Sequence, residues 1–253
     1  KYINISSSGT ENIGLYASTG TVENDTAGKV TITAGENIGI MSAGTGTANN
    51  NGTITVTADG ATGAIATGGT VNNTGTITVT GTASSNGRGT AGIIASGGTF
   101  TATGNGTITV NVTGKNSVGI YAKNGTATVL QNNTDTADGA VNYAVDTNGT
   151  INLNGPVSAG MYATDKSSME NTSTGIINVA ATTAGSESIG MFTQDVDTPI
   201  TTSGTINVGK NSYGIYGRNV NMTGGTINVD DSGLGIYSTG PNIALTGGTI
   251  NVG

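Results

Sequence analysis

Gly225-Thr226-Ile227-Asn228-Val229 is followed six residues later by Gly235-Ile236-Tyr237, and the same pair occurs upstream as Gly204-Thr205-Ile206-Asn207-Val208 with Gly214-Ile215-Tyr216. This recurrence constrains the fold more than any single motif. A period of 20–50 residues means that each unit buries its apolar side only against its neighbours, so the units stack. Each half of the unit reads as a short strand. Ile227 and Val229 alternate with Thr226 and Asn228, the period-two pattern of a half-buried strand.

The glycine of the apolar-Gly-apolar half serves as a ruler. It falls at Gly14, Gly39, Gly63, Gly92, Gly119, Gly160, Gly190, Gly214 and Gly235, and Val141-Asn142-Tyr143-Ala144 reads as a further unit with Asn142 in the glycine slot. That gives ten units stepping by 25, 24, 29, 27, 23, 18, 30, 24 and 21 residues. The other half appears as Val30-Thr31-Ile32, Ile54-Thr55-Val56, Ile77-Thr78-Val79, Ile108-Thr109-Val110, Ile151-Asn152-Leu153 and Ile177-Asn178-Val179, then at Ile206, Ile227 and Ile250. Tyr2-Ile3-Asn4-Ile5 opens the chain in the same phase, and Thr126-Ala127-Thr128-Val129 is the candidate after Tyr121.

Helical repeats do not fit, because Gly, Thr and Asn are poor helix formers and no 3.6-residue apolar stripe is present. Propeller blades need about 40 residues each. One coil of a parallel β-helix fits a unit of about 25 residues. With strands about 4.8 Å apart, ten coils predict an all-β rod roughly 45–50 Å long over residues 1–253 as one continuous segment. Asn49-Asn50-Asn51-Gly52 and Asn72-Asn73-Thr74-Gly75 read as turns, and Asn12, Asn37, Asn116 and Asn211 as left-handed turn residues before the second strand.

Composition narrows function. Only 9% of residues are charged and the net charge is −7, with two arginines and six lysines scattered along the chain. Nucleic acid needs clustered positive charge, so that partner is not expected, nor is an anionic membrane surface. Low charge and strictly placed aliphatics argue for order. The absence of cysteine suits an exported chain that must cross a cell envelope without disulfide trapping. Both ends fall mid-repeat, so a piece of a longer chain is expected.

With no histidine and no cysteine, Ser–His and Cys–His catalysis and N/S zinc sites are excluded within this sequence. Asp231-Ser232-Gly233 reads as a turn, and the acidic pairs Asp230/Asp231 and Asp195/Asp197 read as solvated turns, with a weak divalent cation as the other reading. No cofactor, metal or catalytic residue is expected. Asn-x-Ser/Thr triplets follow from composition, and Asn86-Gly87-Arg88, an integrin-type tripeptide, is too short to carry a reading.

Two columns carry the candidate binding surface. Two residues after the ruler glycine stand Tyr16, Met41, Ile65, Ile94, Tyr121, Tyr162, Phe192, Tyr216 and Tyr237, with Tyr143 one place out of phase. Alternation puts the residues flanking the glycine (Ile38 and Ile40, Leu234 and Ile236) inward and the tyrosines outward, unless the strand turns a corner there. An aromatic ladder is one reading; a ligand face of Tyr121, Tyr162, Tyr216 and Tyr237 on which sugar rings stack is the other. The second column is Asn4, Asn152, Asn178, Asn207, Asn228 and Asn251, with Thr55, Thr78 and Thr109 in earlier coils, expected to hydrogen-bond along the rod.

The units Gly209-Lys210-Asn211-Ser212-Tyr213-Gly214-Ile215-Tyr216 and Gly225-Thr226-Ile227-Asn228-Val229 resemble the passenger repeats of the large fusobacterial-type (RadD-like) type V autotransporter adhesins. The likeness covers essentially the whole chain, although the first four coils carry Thr for Asn and Ile or Met for Tyr. It implies a right-handed parallel β-helix, a passenger displayed on the bacterial cell surface and held in the outer membrane by a C-terminal barrel outside this segment. It further implies attachment to glycans or receptor proteins of host cells or other bacteria, with the passenger as a monomer. No binding residue is carried over from the family. On the residues alone, a polysaccharide-degrading β-helix of lyase or tail-spike type and a structural surface protein without a ligand remain the competing classes.

Overall fold

The computed structural model describes residues 1–85, 89–96, 99–102, 109–112, 114–123, 126–129, 142–145, 150–164 and 168–253. They form strands and turns with no helix among them. Every named strand pair is parallel, and each pairs a segment with its counterpart one circuit later. The chain is a parallel β-solenoid, and each coil has three faces.

The first face holds the Thr-Ile-Asn-Val segments. From Tyr2–Ile5 through Lys29–Ile32, Thr53–Val56 and Thr76–Val79 to Thr226–Val229 and Thr249–Val252, ten such segments are in register among the described residues. Nine spacings of about 4.8 Å make this face roughly 43 Å long. Its second and fourth positions point into the shaft: Ile32, Ile54, Val56, Ile77, Val79, Ile177 and Ile206 are all 0% exposed. One methyl-rich column thus stacks on another, which is how so few aliphatic residues suffice for a core.

The second face contains the ruler glycines. Nine strands in register among the described residues separate into eight full turns. Asn142 does not belong to this series. The strand Val118–Lys123 pairs directly with Ala159–Thr164, so the step from Gly119 to Gly160 is a single turn of 41 residues. Asn142–Val145 pairs instead with Ser168–Asn171 on the third face, with Tyr143 opposite Met169. Val141 and Ile108 lie outside the described residues.

The third face is built in part from segments that the sequence reads as turns. Thr21–Asn24, Thr47–Asn50 and Thr70–Asn73 are strands in register, so Asn49, Asn50, Asn72 and Asn73 end strands, and only the residues after them turn. Thr126–Val129 belongs here too, paired with Thr99–Ala102, and not on the first face. The register at residue 109 is shifted by two residues from the expected one. Thr109 aligns with Thr76, and Asn111 aligns with Thr78 and Asn152, so Asn111 takes the Asn/Thr column position assigned to Thr109. Thr107-Ile108-Thr109-Val110-Asn111-Val112 is one continuous alternation that admits two registers two residues apart, and pairing with both neighbours selects the later one.

Candidate functional site

The ruler glycine is where the second strand turns a corner. A Cβ on Gly39, Gly119, Gly160, Gly190 or Gly214 would approach the carbonyl oxygen of the next ruler glycine to 2.5–2.6 Å. Coils therefore touch backbone to backbone here, and any side chain would push them apart. The bend changes which positions share a side. The residue after the glycine enters the shaft, as Ile40, Ile93 and Ile215 show at 0% exposure. The residue before it lies outside that core: Ile38 is 7% exposed yet does not pack into the shaft cluster, and Ile13 and Leu234, on the end coils, are 37% and 45% exposed. The flanking pair is split across the corner, which corrects the simple alternation.

The Tyr column is continuous. Tyr16, Met41, Ile65, Ile94, Tyr121, Tyr162, Phe192, Tyr216 and Tyr237 are register partners in sequence. Tyr121 stacks on Tyr162 with centroids 5.1 Å apart and planes at 18°, and Tyr162 on Phe192 at 5.1 Å and 26°. Phe192 meets Tyr216 edge-on at 5.4 Å, and Tyr216 meets Tyr237 at 5.0 Å. The four candidate ligand-face residues thus lie on one line, joined through Phe192. The faces of Tyr121, Tyr162 and Phe192, however, are turned to one another along the rod, and Tyr216 and Tyr237 are tilted against their neighbours. Sugar stacking needs a free ring face, and Tyr162 has one neighbour on each side; what these rings offer outward is edges.

Beside the ladder runs a groove. One wall is the column itself: Ile94, Tyr121, Tyr162 and Phe192. The floor is the residue before each ruler glycine: Ala91, Val118, Ala159 and Ile189. The rim is the residue three before: Gly89, Asn116, Val157 and Glu187. The space is about 620 Å³, within the usual range of ligand pockets. It ends where Tyr213, the register partner of Ile189, fills the floor row with a ring 6.1 Å from both Tyr216 and Tyr237. The sequence signal for the hollow is the run of non-aromatic floor residues, Ala91, Val118, Ala159 and Ile189, ahead of Tyr213.

Six positions of the rim row take left-handed backbone, Gly60 and Val157 among them. Glu11, Asn116, Asn211 and Ser232 have φ of 62°, 53°, 54° and 61° there. Asn116 and Asn211 match the turn reading. Asn12 and Asn37, one residue further on, do not: Asn37 Oδ1 accepts the Asn12 backbone N–H at 2.8 Å. Buried serines continue this inner row, with Ser117 N–H donating to Ser158 Oγ at 3.0 Å and Ser158 N–H to Ser188 Oγ at 3.2 Å. Val157 stands apart. It adopts φ 53° although β-branched, and remains 40% exposed at the groove rim. Such a conformation costs on the order of 1–3 kcal/mol.

Two asparagine ladders rule the rest of the surface and interior. On the first face Asn251, Asn228, Asn207 and Asn178 each donate from Nδ2 to the next Oδ1, ending on Asn152, at 2.7–2.9 Å. Inside the third face, Asn24 donates to Asn50 and Asn50 to Asn73, both at 2.6 Å. Asn50 and Asn73 are 0% exposed, a polar column in the shaft that composition alone reads as turn.

The acidic pairs act as turns. Asp195 Oδ1 accepts the Asp197 N–H at 3.0 Å and Oδ2 accepts the Thr198 hydroxyl at 3.2 Å. Asp230 C=O accepts the Gly233 N–H at 2.9 Å, with Ser232 left-handed between them. Among the described residues no three Asp or Glu gather as a metal site would require. Asn86-Gly87-Arg88 lies outside the described residues. Burial raises the Glu170 carboxyl, and backbone N–H groups of Gly185 and Glu187 lower that of Glu187. Comparison of the chain with family models, curated proteins and solved structures yields no match.

Proposed function

We propose that the chain is a segment of a bacterial cell-surface adhesin passenger, exported and held in the outer membrane by elements outside it. In this role the solenoid is a rigid spacer that carries or supports the attaching surface. The observation behind this reading is the unbroken register of the Asn and aromatic columns. Asn152 to Asn251 are hydrogen-bonded coil by coil, and Tyr121 to Tyr237 are in ring contact coil by coil. Such ladders resist bending between neighbours and reach length with a sparse, charge-poor sequence. Glycans or receptor proteins of host cells or neighbouring bacteria are the partners of this reading, and the segment acts as a monomer.

The test has two readouts. Antibody raised against residues 1–253 labels intact producing cells, and the purified chain competes with those cells for attachment. Labelling only after permeabilisation contradicts surface display. Display without competition, while a longer passenger competes, leaves this segment the spacer role alone.

A further inference from the structure

The corner groove differs from the rest of the surface in three ways. Its floor and ladder wall are apolar on four successive coils, which spans roughly 14 Å at strand spacing. One end is closed by the Tyr213 ring. Its rim carries Val157, a strained and exposed valine in a row that elsewhere takes Gly, Asn, Ser or Glu. An apolar side chain held at a cost beside an apolar hollow points to something apolar lying in it.

The lining decides the chemistry of the occupant. The floor N–H groups are already used: Val118 donates to Thr90 C=O at 2.9 Å, Ala159 to Ser117 C=O at 3.1 Å, and Ile189 to Ser158 C=O at 2.9 Å. A peptide laid along the groove would find no main-chain partners and would bury its own polar groups unpaired. A sugar would meet the edges of the wall rings Tyr121, Tyr162 and Phe192, which stack on one another. A hydrocarbon chain has no polar groups to satisfy and fits a long, narrow hollow. Among the described lining residues Glu187 is the only charged one, at the closed end beside Ile189. Its carboxylate accepts the Gly185 N–H at 2.7 Å, which holds it ionised. The complementary ligand is therefore positive at that end.

We propose that this groove is a binding site for a single alkyl chain bearing a cationic head, with the chain along Ala159, Val118 and Ala91 and the head at Glu187. The proposal stands apart from the attachment reading and does not need it.

Calorimetric titration of the folded chain with decyltrimethylammonium, below its micellar concentration, tests it. Saturable binding at one per chain is expected, with decyl sulfate weaker by about tenfold. Ala159→Phe, which puts a ring into the floor row as Tyr213 does two coils on, abolishes binding, and Glu187→Gln weakens it several-fold. Val157→Asn raises the thermal midpoint and weakens binding. Absence of saturable heat overturns the proposal, as does equal binding of the sulfate. So does Val157→Asn that stabilises the chain while binding as the parent does, a result that would make Val157 a structural oddity alone. Should Ala159→Phe lose its β circular dichroism, Val157→Asn carries the test.

Discussion

A Cβ built on Gly39 would stand 2.5 Å from the carbonyl oxygen of Gly63, the glycine in the same slot one coil on. Backbone cannot yield as a flexible side chain can, so Gly39→Ala forces the coils apart. A loss of about 1–3 kcal/mol is expected in urea unfolding. Gly20→Ala meets nothing within 4 Å and bears only the penalty for its φ of 70°, about 1 kcal/mol. Equal losses at the two sites would contradict the close approach.

The two asparagine ladders should respond differently. Asn207 donates to Asn178 and accepts from Asn228 on a half-exposed face, where water replaces what is lost. Asn207→Ala is expected to cost about 1–2 kcal/mol. Asn50 makes the same pair of bonds with Asn24 and Asn73 in the shaft, and its removal leaves a buried donor and a buried acceptor unpaired. Asn50→Ala should cost about 2–4 kcal/mol. Denaturation midpoints of the two variants, measured side by side, check the order.

Phe192 joins the two halves of the aromatic ladder, 5.1 Å from Tyr162 and 5.4 Å from Tyr216. Phe192→Ala removes both ring pairs, about 0.5–1.5 kcal/mol each beyond the lost area, and should reduce the near-ultraviolet circular dichroism of the tyrosines. Phe192→Tyr, which restores the residue found on the neighbouring coils, should leave stability within about 0.5 kcal/mol.

Glu170 gives stability a pH dependence. Burial raises its carboxyl in the folded chain, so the folded state keeps the proton over a window in which the unfolded state has lost it. Stability attributable to this group is complete below the window and declines as pH rises through it. Glu170→Gln removes that decline, and its unfolding midpoint should gain on the parent as pH rises through and above the ordinary carboxylate range. Glu187 works with the opposite sign, being lowered; its contribution is lost on acidification.

How much of this could be read from the residues follows from how strict each slot is. The ruler glycine admits no substitute without pushing coils apart, so the second face and its aromatic column run in register from Tyr16 to Tyr237. The third face stayed hidden because its inward positions are Val22, Ala48 and Val71 followed by buried asparagines, a pattern with little apolar alternation. A buried Asn needs polar partners on neighbouring coils, as Asn50 has in Asn24 and Asn73 and Asn171 in Thr202, a condition no local window contains. Asn142 misled for the converse reason: an apolar-Asn-aromatic triplet imitates the ruler, while its pairing with Ser168 puts it on another face. The groove needed the corner at the glycine, which splits residues that simple alternation holds together.

The absence of cysteine from the chain makes the central claim, like residues one above another on every circuit, directly measurable. Thr205 and Thr226 are register partners on adjacent coils, whereas Thr205 and Asn228 lie on a diagonal. Strand spacing puts the first pair within disulfide reach and the second, at more than about 7 Å, beyond it. Oxidation of the Thr205→Cys/Thr226→Cys variant should give a quantitative intramolecular disulfide and a folded chain, with none in Thr205→Cys/Asn228→Cys. Cross-linking of the diagonal pair in preference to the aligned one would contradict the stacked register.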